Sequence, residues 1–194
     1  MGAPVNMTAP LNNGFRSERL ERVFADCFAA KLHTRLQGGA DEPLYQPALQ
    51  EGGWHVLYYR ADYFASALHE VAHWCIAGAA RRQRVDFGYW YVPDGRNDAR
   101  QQAFEAVESK PQALEWYFAK ASGYRFRVSV DNMERVSGEV LAMSDFPREV
   151  YEQALGWQRE GLPGRAEEFF HSLCREFDTP ASPRELHFDL AELN

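Results

Sequence analysis

Two histidines and a glutamate form the pattern in this chain that is best suited to chemistry. His69, Glu70 and His73 stand in the order H-E-x-x-H. Residues four apart on an α-helix lie one turn apart on the same face, so the imidazoles of His69 and His73 can bind one metal ion. Glu70 lies next to that face, where its carboxylate can contact a metal-bound water or orient a ligand. The motif therefore predicts a metal site in which Glu70 is the catalytic residue.

The residues around the motif favour the helix that such a site requires. The run from Asp62 to Gly78 is rich in Ala, Leu, Glu, Trp and Ile, and Asp62 is a good N-cap. Nearly every side of this helix is apolar, so we expect it to be buried. Buried histidines and carboxylates are costly unless something pairs with them, and a metal ion does so. The alternative is a pair of satisfied core histidines with a chance glutamate between them.

A third protein ligand must come from another segment. A metzincin would continue the motif with a glycine and a third histidine, but Ile76 and Ala79 occupy those positions and exclude that site. The segment 104–118 offers Glu105 and Glu108. Its apolar positions at helical spacing are Phe104, Val107, Pro111, Leu114 and Phe118. Glu108 lies at the border of this stripe and Glu105 points away from it, so we expect Glu108 to be the third ligand and Glu105 to be a supporting or alternative one.

Two other interpretations of this segment concern its polar residues. Both glutamates could instead belong to a solvated acidic face. Gln112 and Glu115 continue the Glu108 side of the helix and could hold a hydrogen bond to a ligand.

Composition limits the remaining possibilities. The chain has 194 residues, and its apolar content of 45% is sufficient for a packed core. A net charge of −7 gives no general attraction to nucleic acid or to an anionic membrane. We expect no membrane span and no signal peptide, because no apolar run is long enough and the N-terminus lacks a basic segment. Three widely separated cysteines favour reduced thiols and a cytoplasmic location.

The order of predicted elements indicates an α+β fold. Residues 1–13 read as a flexible tail, and 14–194 as one domain. A helix is predicted from Ser17 to about Leu32, and a strand over 54–59 leads into the motif helix. A further helix is predicted over 97–109, and Pro111 either kinks it or begins a second helix that reaches about residue 121. Two more helices are predicted over 146–161 and 165–177, and the other strands or extended segments cover 44–47, 85–91 and 124–130.

Two histidines and one carboxylate serve two different chemistries. With zinc, such a site activates water, and Glu70 becomes the general base of a peptidase. With iron, the same ligands leave positions open for dioxygen, as in non-haem oxygenases. The number of ligands alone does not separate these chemistries.

Several longer blocks resemble the bacterial elongation factor P hydroxylase family. The matching segments, in order, are His33–Leu36, Gly39–Tyr45 (GADEPLY), Ala65–Arg82 (ASALHEVAHWCIAGAARR), Val85–Arg96 (VDFGYWYVPDGR), Phe104–Trp116 (FEAVESKPQALEW) and Val128–Asn132. They cover most of residues 33–132. The blocks ASALHEVAHWCIAG and VDFGYWYVPDG make this resemblance far more specific than H-E-x-x-H alone.

The resemblance implies a metal-dependent hydroxylase that acts on the modified (β-lysylated) lysine of elongation factor P, a post-translational modification step. His69 and His73 would be ligands, with a carboxylate from 104–116 completing the site. The expected metal is Fe(II) with dioxygen as co-reactant, and zinc is the alternative. The implied fold is zincin-like, with the active-site helix packed on a small sheet and additional helices around it. No arginine stands out as a 2-oxoglutarate ligand, so the source of electrons is left open.

The remaining matched blocks suggest roles at the substrate. Tyr89 and Tyr91 are most simply wall residues, although their rings could also sheathe the stem of a lysine-derived side chain. Asp86 and Asp94 could pair with its ammonium groups.

A basic cluster on this acidic chain, Arg81, Arg82 and Arg84, is either an ordinary helix C-terminus or a docking patch for an acidic protein substrate.

Three functions therefore compete. The first is the hydroxylase, with elongation factor P and dioxygen as partners and with no nucleic acid or membrane. The second is a small zinc peptidase that uses Glu70 as general base. The third, a structural metal in a factor-binding module, ranks last because no cysteine is placed to join the two histidines. The oligomeric state is left open.

Overall fold

A short mixed β-sheet comes directly before the H-E-x-x-H helix along the chain. The computed structural model describes residues 14–87, 98–129, 145–179 and 182–193. The strands are β1 (Thr34–Ala40), β2 (Leu44–Gln46) and β3 (His55–Arg60). β3 is central, and it pairs parallel with β1 and antiparallel with β2. Leu57 of β3 lies opposite Leu36 on one side and Tyr45 on the other, so one buried row crosses the sheet.

Helices surround this sheet in the described residues. They are α1 (Ser17–Leu32), α2 (Phe64–Ile76), α3 (Asp98–Ser122), α4 (Phe146–Glu160) and α5 (Gly164–Phe177). The five α-helices and the three-stranded sheet found in the described residues confirm the predicted α+β single-domain fold. None of the helices within the described ranges is both long and apolar enough to cross a membrane.

The helix α2 is buried in the core, as its apolar residues on nearly every side predicted. Leu68 and Val71 are completely buried, and the helix packs on β3, α1 and α3. The Trp74 ring packs against Phe24 and Phe28 of α1, with ring centroids 5.0 and 4.8 Å apart. Each large apolar side chain buried in this way contributes about 1.5–3 kcal/mol. The motif is therefore held by a rigid part of the protein.

The helix α3 differs from its prediction in two ways. It runs without interruption through Pro111, whereas we predicted a kink or a second helix there. Val107 was predicted to face the core but is 49% exposed. Glu108 and Pro111, which were also predicted to face inward, are buried, and Gln112 is buried beside them.

Two local predictions were wrong, and one strand was not predicted. Asp62 does not cap α2, because Tyr63 is the N-cap residue and the helix begins at Phe64. The strand predicted over 124–130 is absent from its described part, 124–129. The strand β1 was not predicted, because it contains Gly38 and Gly39 and glycine has a low strand propensity. The predicted tail, residues 1–13, lies outside the described residues.

Candidate metal centre

One turn of α2 brings the two motif histidines together. The Nε2 atoms of His69 and His73 lie 3.0 Å apart. Both residues are on the side of α2 that faces α3, and the His73 side chain is 8% exposed against 24% for His69. The predicted pairing of these imidazoles on one helix face is present in the structure.

The helix α3 adds a carboxylate to this pair. Oε1 of Glu108 lies 3.1 Å from Nε2 of His73, and Oε2 lies 3.4 Å from Nε2 of His69. Glu108 is only 1% exposed, and its Oε1 is buried without a well-formed hydrogen bond from the described residues. Glu105, the alternative carboxylate, is not part of this cluster.

The spacing of these atoms fits a shared metal ion. One ligand atom from each of His69, His73 and Glu108 lies within 4.8 Å of the others. Ligands about 2.1 Å from an ion are separated by about 3.0 Å at a right angle and by about 3.4 Å at the tetrahedral angle. The observed distances of 3.0, 3.1 and 3.4 Å cover this range. The buried, unsatisfied Oε1 of Glu108 is an atom that such an ion would satisfy. The group can therefore hold a metal.

The electrostatics of the cluster are strongly perturbed. Burial disfavours charge on His69, but the hydrogen bond to Glu115 and the nearby carboxylates raise its pKa to about 10. Burial also opposes ionisation of Glu108, yet His73 and His69 lower its pKa to about 2. The carboxylate therefore needs a positive charge beside it, and a divalent cation supplies that charge in place of an imidazolium proton.

Two further polar residues of α3 face the same region. Oε2 of Glu115 lies 2.8 Å from Nδ1 of His69, on the side of the ring opposite the cluster. Gln112 bonds the backbone of Ser129, donating from Nε2 at 2.6 Å and accepting at Oε1 at 3.0 Å. Gln112 thus holds the 124–129 segment against α3.

Comparison with known proteins identifies the family. The family model described as elongation factor P hydroxylase matches residues 23–188. The chain belongs to that family. It is also 43% identical over 173 residues to the elongation factor P lysine hydroxylase of Haemophilus influenzae, a match that covers 89% of this chain and 96% of the relative. The resemblance identified from the sequence is confirmed, and the matched range includes His69, His73 and Glu108.

In this hydroxylase-family chain, Glu70 lies in the wall of a narrow cavity beside the cluster. Tyr45, Trp74 and His73 share this wall with it. Glu70 is 6% exposed, and burial raises the pKa of its carboxyl. A carboxyl in this position can hold or accept a proton next to the histidines. Its catalytic role stays a prediction.

The predicted substrate and docking residues have contacts of their own. Asp86 forms an ion pair with Arg81, and its backbone bonds that of Tyr45. The Arg82 guanidinium donates to the carbonyl of Ala77, and the backbone carbonyl of Arg82 accepts a hydrogen bond from the Tyr45 hydroxyl at 3.0 Å.

Arg84 is exposed, and Arg81 is also largely at the surface. Tyr89, Tyr91 and Asp94 lie outside the described residues. The substrate-pocket and docking roles therefore stay predictions.

One residue that supports the metal helix was not predicted from the sequence. Arg165 of α5 donates to the carbonyls of Trp74, Cys75 and Ala77 at 3.1, 2.8 and 2.7 Å. These carbonyls end α2, and a cation at a helix C-terminus is favourable. Its guanidinium also lies 4.8 Å from the Trp74 ring centroid. No sequence motif signals this contact, because it joins residues about 90 positions apart.

Proposed function

We propose that this protein hydroxylates the modified, β-lysylated lysine of elongation factor P, using a metal held by His69, His73 and Glu108. Two observations support the proposal. Family membership indicates the reaction and the substrate. The clustering of two imidazoles and one carboxylate, with their atoms 3.0 to 3.4 Å apart, provides a site that can hold the metal, and this observation carries the proposal.

The ligand set favours a non-haem Fe(II) site that uses dioxygen. Three protein ligands from one side leave coordination positions open, which is the arrangement found in iron oxygenases. The overall reaction replaces a C–H bond with C–OH. One oxygen atom of dioxygen enters the product, and the other leaves as water after two electrons and two protons are supplied. The iron, when bound, supplies the redox chemistry of this exchange.

The protein's own groups would position this chemistry and exclude competing reactions. The ligand Glu108 is buried between two packed helices, which keeps bulk water from that side of the site. Glu70, which lies in the cavity wall, would hold a proton beside the reacting centre. A substrate that is a translation factor would be met in the cytoplasm, which is the location we propose.

The direct test is mass spectrometry of modified elongation factor P after incubation with this protein, Fe(II), a reductant and air. We expect a gain of one oxygen atom on the modified lysine. His73→Ala should abolish this gain, whereas His171→Ala, on α5 and outside the cluster, should leave it unchanged.

Two results would contradict the proposal. The first is an equal gain of oxygen with the His73→Ala variant. The second is no gain under any metal and reductant together with zinc-dependent cleavage of a peptide library, which would support the peptidase with Glu70 as base.

A further inference from the structure

The carboxylate of Glu115 is the unexplained polar group nearest to the proposed metal ligands. It follows Glu108 by seven residues, so the two carboxylates lie two turns apart on the same side of α3. Oε2 of Glu115 lies 2.8 Å from Nδ1 of His69, while Nε2 of the same ring lies 3.0 Å from Nε2 of His73. The two nitrogens of His69 therefore have separate partners.

Core packing alone does not account for a glutamate at this position. Glu115 is 9% exposed, and its neighbours Leu114 and Trp116 are 0% and 1% exposed. A carboxylate buried in such surroundings costs several kcal/mol unless a partner compensates for it. Among the described residues, His69 is the hydrogen-bond partner of the Glu115 carboxylate. An apolar side chain of similar size would fill the same space without this cost.

The chemistry of imidazole explains what the contact between Glu115 and His69 could do. A neutral histidine that binds a metal through Nε2 carries its proton on Nδ1. A carboxylate at Nδ1 accepts that proton in a hydrogen bond, fixes the orientation of the ring and makes Nε2 a better donor to the metal.

We propose that Glu115 is a positioning residue that holds His69 with Nδ1 protonated and Nε2 directed at the metal. This inference rests on the proposed metal site but not on the identity of the substrate. It makes Glu115 the residue that keeps the more exposed histidine ligand in place. Glu115 acts through His69 and touches neither metal nor substrate.

Two substitutions separate this role from a structural one. Glu115→Met replaces the carboxylate with an apolar chain of similar length. We expect metal affinity to fall about 10- to 100-fold, and the metal-free protein to lose some stability as well, because His69 loses its buried partner. Glu115→Gln keeps an oxygen that can accept the Nδ1 hydrogen, so it should retain most of the affinity. Glu105→Met, on the same helix but outside the cluster, is the matched control and should change neither quantity.

The measurement is anaerobic titration with Co(II) against a competing chelator, together with thermal unfolding of the metal-free variants. Two results would overturn the inference: wild-type affinity in Glu115→Met, or a Glu115→Gln variant that is folded but recovers none of the lost affinity. Failure of the wild-type protein to bind Co(II) would also overturn it. If the wild-type protein binds metal with this pattern but adds no oxygen to elongation factor P, the proposed function fails and the role of Glu115 stands.

Discussion

Removal of the Glu108 carboxylate should sharply weaken metal binding. Structural zinc sites with four ligands bind with about 10–16 kcal/mol, which is roughly 2.5–4 kcal/mol for each ligand. Since about 1.4 kcal/mol corresponds to a factor of ten, Glu108→Ala should weaken binding about 100- to 1000-fold. Glu108 is 1% exposed and lies between both histidines, so a side chain from the protein surface cannot easily take its place as a metal ligand.

The matched control for this experiment is Glu105→Ala, on the same helix one turn earlier. It removes a partly exposed carboxylate from outside the cluster, so its effect on affinity should be small, within about 0.5 kcal/mol. Both affinities are measured by chelator competition under anaerobic conditions, with circular dichroism to verify that each variant is folded. Loss of metal in Glu105→Ala with full retention in Glu108→Ala would refute the assignment of the third ligand.

Three further predictions test the catalytic residue, the core and the pH dependence of stability. Glu70→Gln should leave metal affinity nearly unchanged and slow hydroxylation about 10²- to 10⁴-fold if the carboxyl moves a proton in the reaction; an unchanged rate would exclude that role. Leu68→Ala should lower the free energy of unfolding by about 2–5 kcal/mol in a denaturant titration, because Leu68 is completely buried, whereas Val107→Ala, at a half-exposed position, should cost far less. The hydrogen bond from Arg19 lowers the pKa of Glu176 in the folded protein. The ionised carboxylate therefore stabilises the fold at pH values above the unfolded-state pKa. This stabilisation disappears as the pH falls through the lower pKa of the folded state. Glu176→Gln should therefore lower stability by about 0.5–1 kcal/mol near neutral pH and leave it unchanged in strong acid; equal destabilisation at both pH values would contradict this.

The elements that were predicted well are those with a strong local signal. The helix α1 has the predicted bounds, Ser17–Leu32, because its buried residues recur at helical spacing. The motif helix α2 was predicted because a run of good helix formers surrounds the two histidines. The choice of Glu108 over Glu105 agrees with the cluster in the structure, although one residue used to define the stripe, Val107, is exposed.

The failed predictions depend on contacts that a local pattern does not encode. The strand β1 contains Gly38, where a Cβ atom would lie 2.7 Å from the carbonyl of Ala61 and from the Tyr59 ring. Glycine is thus required there by close approach to β3, and its weak strand propensity is overcome by pairing with that strand.

Part of the inward face of α3 is polar, and it was predicted from the position of Glu108 rather than from apolar residues. Apolar periodicity finds a face that packs on hydrophobic residues. Glu108, Gln112 and Glu115 face inward because they contact histidines and backbone, not because they are apolar. Arg165 is a similar case, since its partners at the end of α2 are brought near only by the fold.

The most direct test of the proposed hydroxylation at His69, His73 and Glu108 is a turnover under heavy-isotope dioxygen in ordinary water, with modified elongation factor P as substrate. With the wild-type protein and Fe(II), the modified lysine should gain the heavy oxygen, and with Glu108→Ala it should gain none. A product that carries oxygen from water, or equal incorporation of the heavy oxygen by Glu108→Ala, would contradict it.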